Sequence, residues 1–181
     1  MKNQKVDLLE TITLAGGCFW CTEAVFQQVR GVAAVESGYC NGHTQQVNYE
    51  AVCTGQTGYA EVVQVTFNPT VVPLETLLDI FFVTHDPTSL NRQGADVGTQ
   101  YRSGIYCHTP EQLQQVQAWL AQVRPLWPHP IVTEVAMLER YQRAEDYHQN
   151  YFVQHPFQGY CMAVVAPKVE KFANVFKDWR K

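Results

Sequence analysis

Segments of strand period and helix period alternate along this chain. No repeat, low-complexity tract or long linker interrupts them. That alternation is the strongest constraint on what the chain can fold into. Residues 11–15 read as a short buried strand ending in Gly16-Gly17. Residues 22–30 read as a helix with Val25, Phe26 and Val29 on one face and Gly31 as its C-cap. Residues 32–39 and 60–67 read as strands. The second places Val63, Val65 and Phe67 on one face and stops at Asn68-Pro69. Leu74, Leu77, Leu78, Phe81 and Phe82 form a helical stripe. Residues 103–107 read as a strand. A helix then starts with Thr109 as N-cap, Pro110 at the first helical position and Gln112 completing a capping box. Leu113, Val116, Leu120 and Val123 are its buried face, and Pro125, Pro128 and Pro130 break it. Residues 131–138 read as a strand, 145–153 as a helix and 162–166 as a strand. Val169, Phe172, Phe176 and Trp179 mark a C-terminal helix. The main order, β-α-β-β-α-β-α-β-α, implies an α+β two-layer sandwich. Helices pack on one face of a mixed, largely antiparallel sheet, a variant of the ferredoxin-like plait.

The chain has 181 residues, which suits a single domain over 1–181, with a core at about 11–167 and the helix at about 168–180. With 46% hydrophobic and 17% charged residues, disorder is excluded. A net charge of −4 argues against a binder of nucleic acid, and no apolar run approaches the ~20 residues of a membrane span. Asp7 and Glu10 interrupt the N-terminal segment, so no signal peptide is read and a cytoplasmic protein is expected. The charge and the absence of a long apolar surface stripe favour a monomer. In a reducing compartment the six cysteines are not a disulfide framework. Cys40, Cys53 and Cys107 are assigned to packing. Only Cys18 and Cys21 stand at a suggestive spacing.

The segment Ala15-Gly16-Gly17-Cys18-Phe19-Trp20-Cys21-Thr22-Glu23 carries the most chemistry. A strand ends, two glycines allow a tight turn, and a cysteine sits where a helix begins. Unpaired N–H groups and the positive helix end favour an anion there. A lowered Cys18 pKa and a nucleophilic thiolate are therefore expected. Phe19 and Trp20 supply an apolar wall beside the sulfur. Two other readings use the same pair. A zinc-stabilised binding module needs four ligands, and no second C-x-x-C or paired histidine motif supplies them. A general thiol–disulfide oxidoreductase using Cys18 and Cys21 usually has a smaller middle pair than Phe-Trp. A haem link would need a histidine where Thr22 stands.

Gly17-Cys18-Phe19-Trp20 resembles the signature of the A-type peptide methionine sulfoxide reductases. Further blocks resemble that family in the same order. They are Ser37-Gly38-Tyr39, Asn48 through Cys53, Gly55 through Gly58, Ala60-Glu61-Val62, His85-Asp86-Pro87, Asp96 through Ser103, Ala144 through Gln149, and Gly159-Tyr160-Cys161. The resemblance covers about residues 11–167. It implies reduction of methionine S-sulfoxide, free or in proteins, with no metal or organic cofactor and a thioredoxin-like reductant. Cys18 attacks the sulfoxide sulfur and becomes a sulfenic acid. Glu61 is the acid, raised by burial, although an outward-facing strand glutamate is the plainer reading of the local pattern. Tyr49 and Tyr101, read as loop residues, donate hydrogen bonds to the sulfoxide oxygen. Phe19 and Trp20 line the methyl slot. Asp96 helps bind the main chain or amide around the methionine.

A second thiol must resolve the sulfenic acid. Cys161 matches the C-terminal cysteine many members use, and Cys21 lies three residues from Cys18. Both stay open. Residues 162–166 replace the mobile glycine-rich tail of some members, so Cys161 is expected to be less free. Asn41 follows Cys40 where small residues are common, and tolerates a left-handed turn. Val97 stands where members often have a polar residue at the mouth of the site, with an expected effect on peptide preference.

Overall fold

A computed structural model describes residues 8–181; residues 1–7, on which the signal-peptide reading partly rests, lie outside the described residues. The elements run β1 (Glu10–Gly16), α1 (Phe19–Phe26), β2 (Val32–Cys40), α2 (Tyr49–Cys53), β3 (Ala60–Phe67), α3 (Leu74–Thr84), β4 (Arg92–Gln93), β5 (Asp96–Val97), β6 (Ser103–Cys107), α4 (Pro110–Val123), β7 (Glu134–Met137), β8 (Gln142–Arg143), α5 (Tyr151–Gln154) and α6 (Ala166–Val175). Six strands form one sheet in the order β7-β6-β1-β3-β2-β8, and β4 and β5 pair separately. The β6–β7 pairing is parallel, and the four others are antiparallel.

The sheet has two unequal faces. On one, Ile12, Leu14, Val63, Val65 and Phe67 pack against Val25 and Phe26 of α1, Leu77, Leu78 and Phe81 of α3, Val116 of α4 and Phe172 of α6. On the other, Ala15, Cys40, Ala60, Val62 and Tyr106 form a small cluster with Ala136, Leu138 and Tyr141 and no helix. This is the two-layer α+β arrangement the periodicities imply. Strict alternation along β3 has one more consequence. Glu61 shares the helix-covered face with Val63, Val65 and Phe67, and points under α1.

Several local expectations are corrected. Helix α1 ends at Phe26 rather than Arg30 because the C-terminal tail competes for its last turns. The Arg30 N–H donates to Trp179 at 2.7 Å, Val29 bridges to Arg180, and Gly31 turns the chain at φ +95. Thr109 caps α4 by accepting the Gln112 N–H at 3.1 Å, but the return half of the capping box is absent. The Gln112 side chain instead accepts the His108 N–H and donates to the Thr11 carbonyl, tying α4 to β1. The helix expected over 145–153 is split into a 3-10 turn, Asp146–His148, and α5, because Asn150 is left-handed at φ 56. The strand expected over 131–138 is confined to β7.

Residues 162–166 are not a strand. They belong to a π-helical turn, Cys161–Val165, that runs directly into α6. Cys161 and Val165 are buried while Met162 and Ala163 face out, a four-residue helical spacing; short apolar runs do not distinguish strand from helix. Asn48, with its side chain accepting the Ala51 N–H at 2.8 Å, starts the short helix α2, so Tyr49 is a first-turn helical residue and not a loop tyrosine. Asn41 adopts the left-handed conformation expected of it, φ 56.

Candidate active site

Residues from five separate segments meet above the end of β1. Cys18 caps α1; Phe19 and Trp20 follow it; Tyr49 comes from α2, Glu61 from β3, Asp96 from β5, and Tyr101 from a 3-10 turn. Together with Tyr160 they line a cavity of about 140 Å³. All seven residues singled out on the sequence as catalytic or substrate-binding are therefore gathered at one place.

Gly17, at φ +85, makes the turn that presents Cys18. A Cβ there would stand 2.7 Å from the Gln93 side chain, so glycine is needed for both space and conformation. Cys18 is 9% exposed and Glu61 is 1% exposed. The first N–H of α1, on Phe19, donates to Glu61 Oε1 at 3.2 Å. Burial nevertheless pushes the Glu61 carboxyl up to about 8; the Phe19 N–H opposes this, and the charges of Asp96, Cys21 and Glu145 add to it. Burial also holds the Tyr49 and Tyr101 hydroxyls well above the usual tyrosine range, so both remain donors at neutral pH.

The lowered Cys18 pKa expected at a helix start is corrected. Burial holds this thiol well above the usual cysteine range, with the Cys21 hydrogen bond and the Glu61 charge acting the same way. Only the Trp20 N–H pulls downward, and the end of the helix is already turned on Glu61. Cys21 moves the opposite way. The hydrogen bond with Cys18 brings it down to about 7 against its own burial, and the Lys168 ammonium contributes. At the helix start the proton is therefore held more tightly on Cys18 than on Cys21.

Trp20 is fixed from below and above. Its indole N–H donates to His148 Nδ1 at 3.0 Å, and its ring stacks on Tyr151 with centroids 3.8 Å apart and planes 6° from parallel. Because Nδ1 accepts, the His148 proton sits on Nε2, 3.4 Å from Glu145 Oε2. Glu145 also accepts from the Tyr39 hydroxyl at 3.2 Å and the Tyr49 N–H at 3.3 Å. Glu23 anchors the same region from α1, accepting the Ser37 hydroxyl and the Tyr151 N–H. On the other wall, the Tyr160 hydroxyl donates to Asp96 Oδ2 at 2.6 Å and lies 3.9 Å from Cys21 Sγ. The sequence reading did not single out Tyr160, Glu145, His148 or Tyr151. The first three stand inside the blocks Gly159-Tyr160-Cys161 and Ala144 through Gln149, which were the available signal. Among the described residues, no group of three or more His, Cys, Asp or Glu is placed to hold a metal ion.

The family model described as peptide methionine sulfoxide reductase matches residues 10–180. The chain belongs to that family. The peptide methionine sulfoxide reductase MsrA of Ralstonia nicotianae is 53% identical over 174 residues, covering 93% of this chain and 91% of the relative. A crystal structure of Mxr1 from Saccharomyces cerevisiae in reduced form superposes with a TM-score of 0.80 at 39% identity, covering 87% of this chain and 91% of that one. Mxr1 in complex with Trx2 superposes with a TM-score of 0.57 at 28% identity, covering 83% and 89%.

The remaining cysteines of this family member divide sharply. Cys21 is buried beside Cys18, whereas Cys161 is buried in the π-helical turn with its N–H held by Gln158 at 3.0 Å. Cys40 and Cys107 are buried, as the packing assignment requires. Cys53 is not; it is exposed on the last turn of α2, correcting its assignment to packing.

Proposed function

We propose that this chain reduces methionine S-sulfoxide, free and in proteins, in one catalytic domain with Cys18 as nucleophile. A single observation carries the reading: Glu61, a carboxyl that burial keeps protonated up to about pH 8, lines the same cavity as the Cys18 thiol. Glu61 donates a proton to the sulfoxide oxygen while Cys18 sulfur attacks the sulfoxide sulfur. The S–S bond made by this attack then breaks as the protonated oxygen passes from the substrate sulfur to the Cys18 sulfur. The substrate S–O bond is lost, a Cys18 S–O bond is made, methionine leaves as the thioether, and Cys18 is left as a sulfenic acid. The thiol proton of Cys18 returns to Glu61, so the step needs no net charge in a buried site. Tyr49 and Tyr101 donate to the oxygen as charge develops on it. Phe19 and Trp20 take the methyl group, and the donors on one side select one epimer. Asp96, oriented by Tyr160, receives the substrate main chain.

Cys21 then attacks the Cys18 sulfenic acid, releasing water and forming a Cys18–Cys21 disulfide. The hydrogen bond between the two thiols and a Cys21 pKa near 7 support this choice over Cys161. A thioredoxin-like dithiol reduces the disulfide, in keeping with the Mxr1–Trx2 complex. A reducing, cytoplasmic setting suits six cysteines that are all free.

A single turnover without reductant tests the proposal. Reduced protein mixed with excess methionine S-sulfoxide is expected to yield about one methionine per chain and to lose the thiols of Cys18 and Cys21 together. No methionine and six intact thiols in folded protein would overturn it.

A further inference from the structure

A second cavity of about 700 Å³ opens beside the catalytic one, and the two share Asp96 and Tyr160 as a common wall. The inner cavity has room for little more than the end of one side chain. The main chain of a bound residue must then lie at the Asp96–Tyr160 wall, with its neighbours in the outer groove. That groove has an apolar floor, with Phe82, Trp127 and Val164 along it. Its charged rim is Lys168 and Lys171, three residues apart on α6 and so on one side of the helix.

Neither lysine takes part in an ion pair among the described residues. Asp86, also in the groove, differs: its carboxylate already accepts the Thr88 N–H at 2.9 Å and the Thr88 hydroxyl at 2.6 Å. Asp96, in the shared wall, accepts the Tyr160 hydroxyl at 2.6 Å, so of the groove's two carboxylates and two ammonium groups only the ammonium groups lack a polar partner among the described residues. An acidic segment fits such a rim.

We propose that this groove holds the polypeptide flanking the oxidised methionine, with an acidic side chain paired to Lys168 and Lys171 and an apolar one resting on Phe82 and Trp127. The inference rests on the reductase reading and deepens it: the substrate class becomes methionine sulfoxide in acidic–apolar contexts. The lysines set which peptides are preferred, and free methionine sulfoxide does not reach them.

The test compares two short blocked peptides, one with Glu and one with Lys flanking the methionine sulfoxide, alongside the free amino acid sulfoxide. The wild type is expected to favour the Glu peptide in kcat/KM by about five-fold, a preference that shrinks in high salt. Lys171→Glu, an exposed change, is expected to bring the ratio to about one or below and leave free sulfoxide turnover unchanged. Adding Lys168→Met should lower it further; the ratio cancels any effect on recycling. A wild-type ratio of one, unmoved by Lys171→Glu while free sulfoxide is reduced normally, overturns the proposal. So does a Lys171→Glu effect confined to the KM for thioredoxin, which would assign the groove to the reductant. No turnover of any sulfoxide overturns the reductase reading itself.

Discussion

The Phe19 N–H, the first of helix α1, donates to the Glu61 carboxyl across 42 positions of sequence rather than to the neighbouring thiol. The first N–H of the helix thus serves the acid, while the next, on Trp20, serves the thiol. In Glu61→Gln the bond to Phe19 is kept by the amide oxygen, but the proton to be donated is gone. The rate of methionine formation in a single turnover is expected to fall by about 10²–10⁴-fold.

The same residue makes a stability prediction of opposite sign. The folded protein holds the Glu61 proton up to about pH 8, while the unfolded chain releases it in the ordinary carboxylate range. Stability from this group is complete below that range, declines as pH rises towards about 8, and stays low above it. Glu61→Gln removes the cost of a buried carboxylate, so its Tm at pH 8–9 should exceed that of the wild type by several degrees, with little gain at acid pH. The wild-type turnover rate should fall through the same pH region. Equal Tm values at both pH extremes would count against a buried, titrating Glu61.

The two thiols of the helix start should separate by pH. Alkylation of Cys21, followed by peptide mass, is expected to show a midpoint near 7, with Cys18 reacting only at much higher pH. Cys21→Ser should still release about one methionine per chain and then stop, because no thiol resolves the sulfenic acid. Cys161→Ser should recycle with thioredoxin nearly as the wild type does. A stalled Cys161→Ser would make that buried cysteine the resolving thiol.

Trp20 is held by Tyr151, 131 positions away in sequence and 3.8 Å away in space. An aromatic pair of this kind contributes roughly 0.5–1.5 kcal/mol. Tyr151→Ala should raise KM for the sulfoxide by about 2- to 12-fold, with a smaller change in kcat. An unchanged KM would mean that Trp20 keeps its place without the stack.

Gly17 joins the catalytic turn to the loop before β4. Gln93, against which any Cβ at Gly17 would press, donates to the Asp86 carbonyl at 2.6 Å and accepts the Asp86 N–H at 3.0 Å. Gly17→Ala is expected to destabilise the protein by about 1–3 kcal/mol through its left-handed backbone alone, measurable in urea. Activity should fall further than stability, since the strain lies one residue from Cys18.

Much of this arrangement was legible from local order along the chain. The β1–Gly-Gly–Cys–helix passage follows from apolar period and glycine, and places a thiol at a helix start whatever surrounds it. The β3 alternation puts Glu61 on the face of Val63, Val65 and Phe67, a signal stronger than the reading of an outward glutamate allowed. Asn150 and Gln112 were misread because their side chains bond to Gln27 and Thr11, partners that local pattern does not name, and the 161–165 turn because a short apolar run does not distinguish strand from helix. The proton affinity of Cys18 was decided chiefly by tertiary structure. A helix end lowers a thiol pKa, but burial raises it by more, with the Cys21 hydrogen bond and the Glu61 charge adding to it, and the burial and the Glu61 charge depend on which distant segments close over the sulfur. The same holds for the Tyr160–Asp96 wall and the Tyr151–Trp20–His148 stack: the residue types are written in the chain, and only packing brings them within hydrogen-bond and stacking distance.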